Sequence, residues 1–82
     1  MRPKAIDIKI LEDYQLEILF NNGERRIFDV NPYFKFKLFR DLTNKKEFAK
    51  VKASGLSIRW DNGADICPEE LYKNSKPIDM EE

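Results

Sequence analysis

Two aspartates stand in matching places along this chain, Asp29 in Asp29-Val30-Asn31-Pro32 and Asp65 in Asp65-Ile66-Cys67-Pro68. A pair of carboxylates can hold a divalent cation or share acid–base work. A cation site wants more oxygen ligands than two, so the plainer role is to end a strand and cap the proline-led turn that follows. A second group is basic and aromatic. Lys35, Lys37, Arg40, Lys45, Lys46, Lys50 and Lys52 interleave with Tyr33, Phe34, Phe36 and Phe39. Cations and rings mixed in this way can follow a phosphate backbone while stacking bases. They read equally as a solvated lysine face over core phenylalanines. The candidate contacts for a partner protein or a nucleic acid are Lys35, Phe36, Lys37, Phe39, Arg40, Lys45 and Lys46. Trp60 and Tyr72 could anchor an interface. The alternation of Trp60 with Leu56 and Ile58 favours core packing instead. Cys67 lies among Asp65, Glu69 and Glu70, whereas a reactive thiol needs an electropositive setting.

What is missing narrows the chemistry further. Among the 82 residues there is no histidine and one cysteine. Ser-His-Asp and Cys-His nucleophiles, the common zinc sets and an internal disulfide are therefore excluded. No catalytic residue, metal or cofactor is expected, and the chain reads as a non-enzyme. Its charge is balanced overall but uneven along the chain. Residues 31–60 carry eight basic and two acidic side chains, and residues 61–82 carry two basic and seven acidic ones. Opposite blocks of this kind steer an oppositely patterned partner. Zero net charge argues against a dedicated nucleic-acid binder. No apolar run is long enough to span a bilayer, and the basic start leads into a segment broken by charges rather than a signal peptide. A cytoplasmic protein without a membrane partner is the expectation.

The elements that position these residues are short. Ile6, Ile8 and Ile10 alternate with charged residues, as do Leu16, Ile18 and Phe20 with Glu17 and Leu19, which is the period of a half-buried strand. Glu12-Asp13 is a turn candidate. Asn22-Gly23 is a strong hairpin signal, read as a type I′ turn with positive φ at both central residues. A third strand follows from about Arg25 to Val30. Asn31 then reads as an N-cap with Pro32 at the first helical position. Residues 33–38 fit a short helix, although Phe34, Phe36 and Phe39 follow neither period. Asn44 with Glu47 resembles a capping box opening a helix over 45–50, with Phe48 and Val51 inward. A strand at 51–53, a turn at Ser54-Gly55, a strand with Leu56, Ile58 and Trp60 inward, a turn at Asn62-Gly63 and a short return strand complete a second meander. Pro68-Glu69-Glu70-Leu71-Tyr72 reads as a helical turn with acids at its positive end. Residues 76–82 read as a flexible acidic tail.

The two hairpins match. Leu16 to Gly23 and Leu56 to Gly63 share L-x-I-x-(aromatic)-x-N-G, and both outgoing strands close on D-(V/I)-x-P. The reading is one α+β domain over residues 1–75, made of two related half-motifs at about 5–38 and 45–73. They would form a mostly antiparallel sheet, or two small meanders packed together, with short helices on it. Its structural motif residues are Asn22, Gly23, Asp29, Pro32, Trp60, Asn62, Gly63, Asp65, Pro68, Leu71 and Tyr72.

The run W-x-N-G-x-D-I-x-P-x-x-L-Y from Trp60 to Tyr72, F-x-N-G-E-x-R-x-F-D-V-x-P from Phe20 to Pro32, and Leu42, Phe48 and Val51 between them resemble a bacterial domain-of-unknown-function family, number 2442. The resemblance spans about residues 3–73. It implies a small α+β fold, a cytoplasmic location and no established activity. It also implies a partner, since family members are often encoded beside another small protein in toxin–antitoxin-like pairs. Longer relatives add a helix-turn-helix domain; this chain is expected to be a stand-alone member without one, so their DNA-reading role is not expected to carry over. The Phe34 to Arg40 stretch is more aromatic and basic than the family pattern. The expected function is a small protein-interaction module, the antitoxin-like or accessory member of such a pair, contacting a neighbouring small protein or a second copy of itself. The alternative is nucleic-acid binding through residues 33–52.

Overall fold

The computed structural model describes residues 3–78. β1 (Ala5–Ile10), β2 (Gln15–Phe20) and β3 (Arg25–Asp29) form the expected antiparallel meander. β2 lies inside the sheet, and its alternation decides the core face: Leu16, Ile18 and Phe20 are fully buried. Opposite Leu16 stand Ile10 and Phe28, and opposite Ile18 stand Ile8 and Arg26. β1 departs from its expected pattern. A bulge between Ala5 and Asp7 shifts the register, so Ala5 turns inward while Ile6 is 50% exposed. A one-residue shift exchanges the two faces of a strand.

The second meander is a separate sheet. β4 (Lys52–Ser54), β5 (Ser57–Arg59) and β6 (Asp65–Ile66) pair in that order, with Ile58 opposite Ala53 and Ile66. Two packed meanders, rather than one sheet, are therefore the arrangement adopted. Leu56, expected inward, is exposed and Ser57 is buried instead. The strand starts only at Ser57, and Leu56 belongs to the turn built on Gly55 at φ +59°. Trp60 is buried and donates its indole N–H to the Phe48 carbonyl at 3.0 Å. Its ring meets Phe39 and Phe48 at centroid distances of 5.7 and 6.0 Å. Each large side chain buried in this way contributes roughly 1.5–3 kcal/mol.

The two Asn-Gly hairpins close alike. Phe20 N–H bonds Glu24 O at 2.9 Å and Trp60 N–H bonds Ala64 O at 2.8 Å, while Asn22 and Asn62 each accept from the backbone N–H two residues on, both at 3.0 Å. Positive φ occurs at Gly23 (+89°) and Gly63 (+96°) but not at the asparagines. The loops are thus three-residue turns with a glycine in the left-handed position, not type I′ turns. Two successive positive φ values are found elsewhere, at Asp13 (61°) and Tyr14 (59°) in the first hairpin. Tyr14 is held there by its surroundings. Its N-terminal neighbour's carbonyl accepts from Asn31 Nδ2 at 2.7 Å, and its own carbonyl accepts from Val30 N–H at 3.0 Å. Its ring stands edge-on to Phe34 and Phe48 at 5.1 and 5.2 Å, and its hydroxyl donates to Thr43 O.

Between the meanders the chain makes a helical insert: a 3-10 turn at Asn31–Lys35, α1 (Lys37–Arg40), a 3-10 turn at Asp41–Thr43 and α2 (Lys45–Phe48). Asn44 caps α2 by accepting from Lys46 N–H at 2.9 Å. Its own N–H bonds Asp41 O, and Glu47 pairs with Lys50, so the return half of a capping box is replaced. Asn31 is not the cap of its turn. Val30 holds that position, and the Asn31 amide instead ties Asp29 to the first hairpin.

α3 (Pro68–Asn74) packs on β3 and β5 and buries Leu71. The segment expected to be a loose tail then joins the first sheet. β7 (Lys76–Pro77) pairs with β3, Arg26 opposite Pro77 and Ile27 opposite Lys76, and Ile78 N–H bonds Arg25 O at 3.1 Å. The first sheet thus has the order β1-β2-β3-β7. Arg26 explains the docking. It sits on the core face of β3, 14% exposed, and donates to Ser75 Oγ (2.8 Å), Ser75 O (2.7 Å) and Glu24 Oε1 (3.0 Å). Its guanidinium lies 4.4 Å over the Tyr72 ring, and Tyr72 donates to the same Glu24 oxygen at 2.9 Å. Asp79 to Glu82, the rest of the expected tail, lie outside the described residues.

Strand edges are guarded. β6 and β7 span two residues each, β7 carries Pro77, and β4 runs alongside β1 with Ala5 N–H bonded to Leu56 O at 3.3 Å. Short strands, proline and cover are the usual protections of an edge. Among the described residues no helix is long and apolar enough to cross a membrane.

Candidate docking groove

Asp29 closes β3, and its Oδ1 accepts from Asn31 N–H (3.0 Å) and Asn31 Nδ2 (2.8 Å). This Asx-type turn leads into the 3-10 turn, where Pro32, its second residue, has its φ already set. Tyr33 is thereby laid against Phe28, Phe39 and Phe36, with ring centroids at 5.5, 5.3 and 6.3 Å. α3 approaches from the other side. Glu70 and Asn74, four residues apart, share one face of that helix. Tyr33 donates its hydroxyl to Glu70 Oε2, and Asn74 Nδ2 donates to the Tyr33 oxygen at 3.4 Å. Burial, reinforced by the hydrogen bond to Glu70, holds the Tyr33 phenol above its ordinary pKa of 10.0.

These contacts leave a shallow groove of about 510 Å³. Phe28, Pro32, Tyr33 and Phe36 form its apolar lining, and its rim carries two lysines, Lys35 and Lys76, and two carboxylates, Asp29 and Glu70. Phe36 stands at the mouth, 51% exposed, with the Lys35 ammonium 5.4 Å from its ring centre. Leu38, two residues on, is 48% exposed.

The expected contact residues do not form one surface. Lys35 and Phe36 line the groove. Phe39 is buried against Tyr33 and Trp60, which removes it from any contact surface. Arg40 bends back onto the Phe34 and Lys35 carbonyls at 3.4 and 3.0 Å. Lys45 lines a second recess beside Tyr14, its ammonium 6.0 Å from that ring. Lys50 pairs with Glu47 at 3.1 Å and Lys52 with Asp61 at 3.3 Å. Lys37 and Lys46 are exposed on α1 and α2. The two aspartates are not brought to one place either. Asp29 ends a strand of the first sheet and Asp65 lies in the second. Among the described residues no group of three or more Asp, Glu, His or Cys side chains could hold a metal. Trp60 and Tyr72 serve the core and the Arg26 cluster. Sequence reasoning overlooked Glu70, Asn74 and Lys76. The spacing of Glu70 and Asn74 was a usable signal, but their meeting with Tyr33 depends on how α3 packs.

Fold and groove together define a small α+β domain of two antiparallel meanders with a helical insert, presenting a mixed-charge, aromatic-floored surface. A family model described as "Protein of unknown function (DUF2442)" matches residues 5–77, and the chain belongs to that family. No curated protein and no solved structure matches it.

Proposed function

We propose that this protein is a non-enzymatic interaction module whose docking surface is the groove between the 3-10 turn at Asn31–Lys35 and α3. The observation that carries the reading is Phe36, half exposed at the mouth of a recess already floored by Phe28 and Tyr33. A buried aromatic anchor in a pocket, ringed by charges, is how protein interfaces concentrate their affinity. The finer reading, an antitoxin-like or accessory member of a cytoplasmic two-protein pair, rests on the family resemblance.

Nucleic-acid binding through residues 33–52 is the weaker reading. Arg40, Lys50 and Lys52 are engaged with carbonyls or carboxylates, and each such partner competes with a phosphate. Tagged protein and its Phe36→Ser variant, used for capture from host lysate with and without nuclease, test the choice. A small protein that survives nuclease and is lost with Phe36→Ser is the expected result. Recovery of nucleic acid alone, indifferent to Phe36, would overturn the proposal.

A further inference from the structure

We infer that the occupant of this groove is a second copy of the chain, related to the first by a two-fold axis. The inference rests on the groove being a protein-docking surface and names what docks there. Charge carries the argument first. Lys35 belongs to the basic stretch 31–60 and Glu70 to the acidic stretch 61–82, and the groove is where the two stretches meet. Its rim holds both signs, Lys35 and Lys76 against Asp29 and Glu70, with Lys76 coming from the acidic stretch and Asp29 from the segment before the basic one. A polyanion would face two carboxylates there, and a polycation two ammonium groups. In a two-fold pairing of two such rims, a contact between Lys35 of one copy and Glu70 of the other occurs twice, once on each side of the axis. Self-complementarity of this kind is what a two-fold interface requires.

Shape agrees with charge. The projecting side chain of Phe36 and the recess floored by Tyr33 and Phe28 belong to one surface. Projection and recess on the same patch let each copy give and receive. Strand addition, the other common route to a homodimer, is discouraged by the two-residue edge strands and by β4 beside β1. The contact involves one open groove and one projecting side chain, which places it at the small end of specific interfaces. The dimer is accordingly weak and concentration-dependent, and salt weakens it further.

Sedimentation velocity over a dilution series tests this directly. The wild type is expected to shift from monomer to dimer as concentration rises, with Phe36→Ser and Lys35→Glu monomeric throughout. An equimolar mixture of Lys35→Glu and Glu70→Lys, each monomeric alone, regains dimer because the swapped charges face each other again. If Glu70→Lys does not fold, Lys35→Glu decides alone: monomer supports the inference, and an undiminished dimer overturns it. A wild type that stays monomeric at every concentration, or a dimer unmoved by Phe36→Ser, also overturns it. Should the wild type be monomeric while Phe36→Ser still abolishes capture of another protein, the docking surface stands and only the second copy is lost.

Discussion

Replacing Arg26 by methionine should undock the C-terminal segment from the first sheet. Methionine keeps an unbranched apolar stem beside Ile18, its cross-strand neighbour, so core volume changes little. What disappears is the guanidinium, which makes two hydrogen bonds to Ser75, one to Glu24 and a stacking contact with Tyr72. The Glu24 bond counts least. That carboxylate is 43% exposed, and such a pair is worth about 0–1 kcal/mol. The Ser75 contacts count most. Ser75 is buried, and charge-assisted bonds to it contribute about 1.5–3 kcal/mol. The cation over Tyr72 adds roughly 0.5–1 kcal/mol. The expected loss is about 3 kcal/mol, a large part of the stability of so small a domain. Arg26→Lys should lose about 2 kcal/mol, because a single ammonium cannot reach both Ser75 atoms and Glu24 together. Urea unfolding followed by Trp60 fluorescence measures both, since Trp60 is the chain's one tryptophan and is buried. A lower slope of free energy against urea would show that α3 and β7 had already left the sheet in the native state. A loss below about 0.5 kcal/mol for Arg26→Met, within the scatter of ordinary surface substitutions, would refute the reasoning.

Other consequences follow from single groups. Tyr33 has its pKa raised in the folded protein, so its contribution to stability is complete below pH about 10 and is lost as the pH rises through the folded value. Tyr33→Phe should remove that component, and the urea midpoints of variant and wild type should converge with rising alkalinity; a constant gap would argue against it. Ser57 Oγ is buried without a hydrogen-bond partner among the described residues. Ser57→Ala should leave stability unchanged or raise it by about 1 kcal/mol, and a clear drop in thermal midpoint would mean the hydroxyl is bonded in solution. At Gly63, φ is +96° and an added Cβ meets nothing within 4 Å. Gly63→Ala should therefore cost about 1–2 kcal/mol through the backbone alone. Gly63→Asn should cost less, because asparagine tolerates the left-handed region, and equal losses would point to packing instead.

Local signals in this chain were reliable where one residue's chemistry settles its own surroundings. The Asn-Gly pairs predicted both hairpins, since a glycine takes the left-handed position without strain. Asn44 predicted the start of α2, and the alternation of Leu16, Ile18 and Phe20 marked the core face of β2. The absence of histidine removed whole classes of catalysis before any fold was considered. The D-(V/I)-x-P segments located two of the groove's residues, Asp29 and Pro32, because an aspartate and a proline shape the turn they stand in.

Tertiary packing decided the rest. Ile6 looks inward by alternation, but the bulge in β1 turns it out. Phe39 and Phe36 are three residues apart in one basic, aromatic stretch, yet one is core and the other is open to solvent. No period separates them, because 3-10 turns and four-residue helices succeed one another there. Lys76 and Pro77 resemble a polar tail until Arg26, some fifty positions earlier, gives the chain something to pair against. The groove exists for the same reason. Asp29, Tyr33 and Lys35 come from one half of the chain and Glu70, Asn74 and Lys76 from the other. Residue types and spacing determine turns, caps and strand faces, which depend on near neighbours. The groove depends on contacts between distant segments, and those form only when the core has packed.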